Sequence, residues 1–374
     1  MSRTIIDIHV LQTVPPSNIN RDDTGSPKSA VYGGVRRARV SSQAWKRATR
    51  KDFSKTVDAS ELGERTKKLV ELVAREVEEI APELKDSAIA IAEKIFTTAG
   101  IKIEKPKKSG ASDAASEVAY LLFLSHHQIR NLAQLAVDAE RSGTALDKAT
   151  VKRVADSEHS IDIALFGRMV ADAVDLNVDA AAQVAHAISV HAVDNEYDYF
   201  TAVDDRAPED NAGAGMIGTV EFNSSTLYRY ATVDVDALQR NLGNAEAAAR
   251  AVGVFTRSFV TSMPTGKQNT FANRTLPDGV VVIVRDAQPV NLVGAFEDAI
   301  VTSSGAKRVA VASERLVEYA VDIDRAYSTI PVASYVVHVG PQTVALEQLG
   351  ESIDLDGMIL AVQSLSEERL RDQS

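Results

Sequence analysis

Residues 4–14 read Thr4-Ile5-Ile6-Asp7-Ile8-His9-Val10-Leu11-Gln12-Thr13-Val14. Ile6, Ile8 and Val10 fall on one side with Asp7 and His9 between them, and a period of two among β-branched residues predicts a strand. A Pro15-Pro16 turn and a polar loop, Ser17–Ser29, are expected to follow. Ser41 or Ser42 then caps a helix running through Trp45, Lys46, Ala48, Thr49 and Arg50. On that helix Lys46 and Arg50 are four apart and share a face, with Arg47 beside them. Trp45 and Thr49 lie on a neighbouring line, and Trp45 reads as a core anchor rather than a base-stacking residue.

Further along, the pattern changes. From about Ala59 to Asp156 apolar residues step at helical spacing, as in Leu69, Val73, Val77 and Ile80 and again in Leu84, Ala88, Ile91 and Ile95. A loop, Glu104–Ser112, precedes a further apolar helix expected over Ala114–Ala139. Ile161–Leu165 alternates like a strand and ends at Gly167-Arg168-Met169, and Val178–Val193 reads as a helix. Asp194–Gly218 loses periodicity; a loop of that length is functional or disordered. Strands are expected at Thr219–Val233, Val280–Arg285 and Tyr335–Val339, with a helix on Ala248, Val252, Phe255 and Phe259 stopped by Pro264. The mixture predicts an α+β sheet domain carrying one helical insertion.

The 374 residues suffice for one large domain or for a core with a sizeable insertion, and the apolar and charged fractions are those of a globular protein. No apolar run approaches the length of a membrane span, Met1–Asp7 lacks the pattern of a signal peptide, and a cytoplasmic protein is the expectation. Without cysteine the chain has neither disulfides nor thiolate metal sites. Charge is more informative. The net charge is −11, yet Thr24–Lys51 holds eight basic residues and no acidic one: Lys28, Arg36, Arg37, Arg39, Lys46, Arg47, Arg50 and Lys51. Removing those eight positive charges leaves −19 on the remainder, so one positive surface sits on an otherwise repelling body and points to an anionic partner.

Most other chemistry is missing from the sequence. His186 and His191 are five apart and His126 and His127 adjacent, which suits no pair of metal ligands on one helix face. Gly33-Gly34 precedes basic residues but lacks the rest of a phosphate-cradling or dinucleotide fingerprint. Asp22-Asp23 is the one carboxylate pair near the positive stretch, and a turn cap or a partner for Arg21 explains it better than a divalent metal does. Thr265-Gly266-Lys267-Gln268-Asn269-Thr270 is a candidate phosphate contact, because glycine admits close backbone approach and the next four residues are donors.

Five stretches together resemble one family: Ile5–Lys51, IDIALFGRM (Ile161–Met169), AHAISVHAVDNEYDYFTAVDD (Ala185–Asp205), TVEFNSSTLYRYA (Thr219–Ala231) and PTGKQNTFAN (Pro264–Asn273). They are similar, in order, to CasC, the backbone subunit of the type I-E CRISPR Cascade complex. The resemblance implies an RRM-like (ferredoxin-like) palm over 1–58, 157–193 and 219–374, a helical finger insertion over 59–156 and a protruding thumb loop over 194–218. It implies a non-catalytic protein without cofactor or metal that polymerises head to tail on crRNA. The other Cascade subunits are its further partners, and target DNA is reached through the crRNA. Carried over residue by residue, Arg21, Lys28, Ser41, Gln43, Lys46, Arg47 and Arg50 hold the RNA backbone, and Lys267 joins them from the second loop. Phe200, Thr201 and Val203 lie near the base of the thumb, and Met169 and Phe200 wedge at the nucleotide displaced between subunits. No RNP aromatic signature is present, so stacking on the sheet face is not expected. Sequence-independent backbone contacts leave the guide bases free to pair.

Two other readings remain open on sequence alone. One is a metal-dependent ribonuclease of the related type III backbone kind using Asp22 or Asp23. The other is a structural or regulatory oligomer whose basic stretch binds an acidic protein.

Overall fold

The computed structural model describes residues 3–106, 115–170, 172–202, 216–302 and 307–372. Most of the expected loop Glu104–Ser112 and the interior of the expected thumb, with Val203, lie outside the described residues. In chain order the elements begin with β1 (Ile5–Ser17), β2 (Ser29–Tyr32), β3 (Val35–Val40) and α1 (Ser42–Asp52). Next come β4 (Gly63–Thr66), α2 (Leu69–Ile80), α3 (Ala88–Ala99), β5 (Ile103–Glu104), β6 (Glu117–Val118) and β7 (Leu122–Ser125). Then follow α4 (His126–Ser142), α5 (Lys148–Ala155), α6 (Ile161–Phe166), β8 (Ala182–Val184), β9 (Ala187–Ser189) and β10 (Glu196–Ala202). The remainder is β11 (Met216–Asp234), α7 (Val235–Leu242), α8 (Ala245–Thr261), α9 (Gln268–Phe271), β12 (Gly279–Arg285), α10 (Arg308–Tyr327), β13 (Ala333–His338), β14 (Glu351–Ser352) and α11 (Leu355–Arg371). None of the described helices is long and apolar enough to cross a membrane.

The chain divides into two compact units. The first comprises Met1–Phe53, Gln183–Asp234 and Val252–Ser374; the second comprises Ser54–Ala182 and Val235–Ala251. The first is built on a sheet of strand order β14-β13-β12-β1-β11-β9-β3-β2. β1 is antiparallel to β11 on one side and to β12 on the other. That central position explains why Asp7 and His9 are buried along with Ile6, Ile8 and Val10. Asp7 accepts hydrogen bonds from the Tyr230 hydroxyl at 2.6 Å and Arg285 Nε at 3.2 Å, so its carboxylate is paired despite its depth. Leu11, Tyr228, Tyr230, Val281 and Ile283 pack against Leu316, Val317 and Ala320 of α10. β1 continues through Pro15 and Pro16 to Ser17, with a register shift after Val14 where the prolines cannot donate to the ladder. The expected turn at that dipeptide is therefore an irregular strand end.

In the second unit α2, α3, α4 and α5 surround an apolar core that includes Val73, Val77, Ile91, Ile95, Leu132 and Val151. The expected helix over Ala114–Ala139 starts late. Glu117–Val118 and Leu122–Ser125 are strands, and Ser125 opens α4 with a capping box in which Gln128 reaches back to its backbone N–H.

Ile161–Leu165 is a helix rather than a strand. Asp162, near its start, accepts from Ser160 Oγ at 2.6 Å and Gly63 N at 3.0 Å, satisfying backbone and side chain without a ladder. Val178–Val193 is also corrected, because it forms β8 and β9 instead of a helix. Ile188 and Ser189 take their hydrogen bonds from the sheet, opposite Tyr228 and Leu227 of β11, and this tertiary pairing overrides an alanine-rich helix propensity. The start of Asp194–Gly218 is not a loop: Glu196–Ala202 pairs antiparallel with Met216–Phe222 as a two-stranded ribbon.

Candidate nucleic-acid interface

Helix α1 forms as its sequence suggests. Ser41 is the N-cap, its Oγ accepting from Ala44 N at 3.3 Å, and Arg50 and Lys51 occupy the last turn where the helix dipole favours cations. Trp45 and Thr49 are buried, which turns the opposite side outward: Gln43, Arg47 and Lys51 are exposed, and Lys46 and Arg50 are half-buried. Burial lowers the Lys46 ammonium from its ordinary pKa, so an anionic neighbour would find it only partly hydrated.

The polar loop after β1 is tied to the head of this helix by one side chain. Asn20 accepts Ser41 N on its Oδ1 at 2.8 Å, and its carbonyl accepts Lys28 N at 2.9 Å. Arg21 bridges to Pro27 and is exposed, while Arg39 N donates to the Lys28 carbonyl. Asn20 thereby holds Arg21, Lys28 and Ser41 in one neighbourhood, a role its sequence position did not announce.

A third segment joins them. A Cβ on Gly266 would lie 2.4 Å from the Ile19 carbonyl oxygen, so the Thr265–Thr270 loop abuts the loop after β1 only because residue 266 has no side chain. Lys267 follows at φ +50° and is half-buried, and Gln268, Asn269 and Thr270 are exposed. Phe271 packs on Phe222 at the root of the ribbon with ring centroids 5.7 Å apart. Asn18 Nδ2 donates to the Glu221 carbonyl there at 2.9 Å.

Along the ribbon Phe200 sits opposite Gly218, and its ring covers the space a Cβ would take. Strand alternation puts Phe200 on the same face as Phe222, whereas Thr201, Tyr197, Tyr199 and Ile217 occupy the other. Thr201 is exposed; Val203 lies outside the described residues. In the second unit Met169 is 87% exposed between two anchored neighbours, Arg168 and Val170, both buried. Arg168 hydrogen-bonds Leu176 O and Asp156, and Val170 N donates to Asn177 Oδ1, so Met169 is presented on a held backbone.

Two members of the sequence picture have structural duties. Arg37 is buried and donates to the carbonyls of Tyr32, Ser189, Phe296 and Glu297, which removes it from the positive surface. Asp22 caps its own turn, accepting from Thr24 N, Thr24 Oγ1 and Ser26 N, and these bonds, that to the Thr24 hydroxyl foremost, hold its pKa below the usual carboxylate value. Cations that include Arg21, Lys28, Arg39, Arg47 and Lys267, none of them in an ion pair among the described residues and ringed by hydroxyl and amide donors, are suited to a polyanion with regularly spaced phosphates.

Comparison with known proteins bears on the same chain. No curated protein matches it. One solved structure, described as a CRISPR RNA-guided surveillance complex, pre-nicking, contains a chain 35% identical. That match covers 96% of this chain and 100% of the other, with a TM-score of 0.82. A second, described as a CRISPR RNA-guided surveillance complex, is 32% identical over 96% of this chain and 99% of that one, with a TM-score of 0.74. Residues 6–360 match the family model described as CT1975-like protein, and the chain belongs to that family.

Proposed function

We propose that this chain is the guide-RNA-binding backbone subunit of a CRISPR RNA-guided surveillance complex, of the type I-E CasC kind. The observation that carries the reading is the meeting of three sequence-distant segments, Ser17–Ser29, the head of α1 and Thr265–Thr270. Between them they bring Arg21, Lys28, Ser41 and Lys267 together with the helix of Gln43, Lys46, Arg47 and Arg50. The full-length similarity to chains of RNA-guided complexes supports RNA as the polyanion. Contacts to phosphate and sugar hold any guide, whatever its spacer sequence, and leave base edges for target DNA.

In this reading the palm is RRM-like. The strand order β12-β1-β11-β9, with α1 and α8 lying in sequence between its first two and last two strands, supports that assignment. Residues 59–156 act as the finger and 194–218 as the thumb. Copies assemble head to tail along one crRNA with other Cascade subunits, and Met169 and Phe200 intercalate at the nucleotide displaced between neighbours. The chain itself cleaves nothing, and Asp22 serves its turn.

The test is anisotropy of a labelled single-stranded RNA titrated with the protein at several salt concentrations. The Lys46→Glu/Arg50→Glu double variant should stay folded by circular dichroism and bind far more weakly, since each lost phosphate contact flattens the salt slope by about 0.7. A folded double variant with unchanged affinity and slope overturns the assignment. In the same tubes, with magnesium, RNA should remain full length; shortened product that disappears in Asp22→Ala would favour the ribonuclease reading instead.

A further inference from the structure

Sequence reading set His186 aside, yet it lies inside the basic patch. It is an exposed residue between β8 and β9, and its Nδ1 is 3.3 Å from both Ser42 N and Arg39 Nη1. A backbone N–H and a guanidinium only donate, so Nδ1 is the acceptor for both and the ring proton is on Nε2. That Nε2–H has no protein partner among the described residues. Arg39 is held by its Nε to the Ser29 carbonyl at 3.1 Å and is hydrogen-bonded through its main chain to Lys28, and the charges of both residues act on the His186 ring.

We infer that Lys28, Arg39 and His186 form a subsite on the RNA-binding surface in which the Nε2–H of His186 donates to a backbone phosphate and the two cations supply charge beside it. The inference rests on the RNA-binding reading and deepens it by adding two residues, Arg39 and His186, with distinct roles. Arg39 and Lys28 supply charge. His186 supplies a directed neutral donor and, through Nδ1, fixes the first residue of α1 and the Arg39 fork in place. Burial first, then the charges of Arg39 and Lys28, lower the His186 pKa, which agrees with a neutral ring in the RNA-free protein. A third positive charge at this spot would add repulsion to the unliganded patch; a neutral donor avoids it.

The experiment compares full-length wild type with His186→Asn, Lys28→Ala and Arg39→Ala in the salt-titrated RNA-binding assay, together with thermal melting. Asparagine keeps an acceptor for Ser42 N but removes the Nε2 donor. His186→Asn should melt like wild type, bind RNA roughly tenfold more weakly, as loss of a hydrogen bond to a charged group does, and keep the wild-type salt slope. Lys28→Ala and Arg39→Ala should each flatten the slope by about 0.7. Wild-type affinity in folded His186→Asn overturns the histidine's role, and a slope reduced as in Lys28→Ala overturns its neutrality. Wild type that ignores RNA altogether overturns the RNA reading and this subsite with it, an outcome distinct from the other two.

Discussion

The guanidinium carbon of Arg229 lies 3.7 Å from the centroid of the Trp45 ring, and both residues are wholly buried. Arg229 belongs to β11 and Trp45 to α1, so this contact seats the basic helix on the strand next to the centre of the sheet. The cation has no carboxylate partner among the described residues. Its Nη1 donates to Gln12 Oε1 at 2.6 Å, its Nη2 donates to the Phe259 carbonyl, and the Phe259 ring lies on it at 4.6 Å. Burial lowers its pKa to about 9, so it remains charged at neutral pH. Ring faces and carbonyl dipoles take the place of a counter-ion.

If that seat positions α1, its loss must be felt in stability before it is felt in RNA binding. Trp45→Ala should lower the unfolding free energy by about 3–5 kcal/mol, the usual cost of deleting a large buried aromatic and stranding its partner. Urea denaturation of the full chain measures it. A loss below about 1 kcal/mol would mean that α1 is held elsewhere.

His191 gives the fold an acid sensitivity. It is buried, its Nε2 accepts from Thr226 N at 3.2 Å and its Nδ1 donates to Ala192 O at 2.8 Å, so both ring positions are used by the neutral form. Burial pushes its pKa down from 6.5 to about 4, with the charges of Arg308 and Arg37 adding to the effect and the bond to Ala192 opposing it. A folded pKa below the unfolded one means that the unfolded chain binds the extra proton between pH 6.5 and 4. The stabilisation is therefore complete above pH 6.5 and is lost as pH falls through that window. At ~1.4 kcal/mol per pKa unit the loss is about 3 kcal/mol for this residue. Melting temperatures of wild type should fall from pH 7 to pH 4.5, and His191→Gln should show a shallower fall; equal slopes would contradict the account.

The wedge role proposed for Met169 and Phe200 comes from the family resemblance; in the structure Met169 is exposed and the Phe200 ring lies over Gly218. Forcing an apolar side chain between stacked bases costs roughly a few kcal/mol per step, and the displaced base becomes chemically accessible. RNA–protein assemblies of wild type should show hyper-reactive guide positions at a regular interval on chemical probing. Phe200→Ala/Met169→Ala should leave the protein folded and flatten that pattern. A uniform wild-type profile would remove the wedge while leaving phosphate binding intact.

What could be read in the sequence was local. β1 and α1 announce themselves through alternation, a serine cap and a helical face, and Trp45 was legible as core from the helix line it shares with Thr49. Two of the errors share one cause, hydrogen bonds supplied from further along the chain. Ile188 and Ser189 look helical until β11 offers them a ladder, and Glu196–Ala202 looks aperiodic until its partners Met216–Phe222 are known. The capping box of Ser125 and Gln128 was visible as Ser-His-His-Gln and would have placed the start of α4 correctly. Of the site, the cations were legible as a run without acidic residues, but Asn20 and His186 were not. Their importance lies in bonds to Ser41 and Ser42, 21 and 144 residues away.

The central claim is that this protein coats a guide RNA irrespective of its sequence, copy after copy. Native mass spectrometry of the protein saturated on single-stranded RNAs of two lengths, each in two unrelated sequences, tests it most directly. A heterologous, non-closing contact propagates for as long as the RNA does. The account predicts more copies on the longer RNA, the same number for both sequences of a given length, and a lower copy number with Lys46→Glu/Arg50→Glu. A fixed stoichiometry across lengths, or binding to one sequence and not the other, would contradict it.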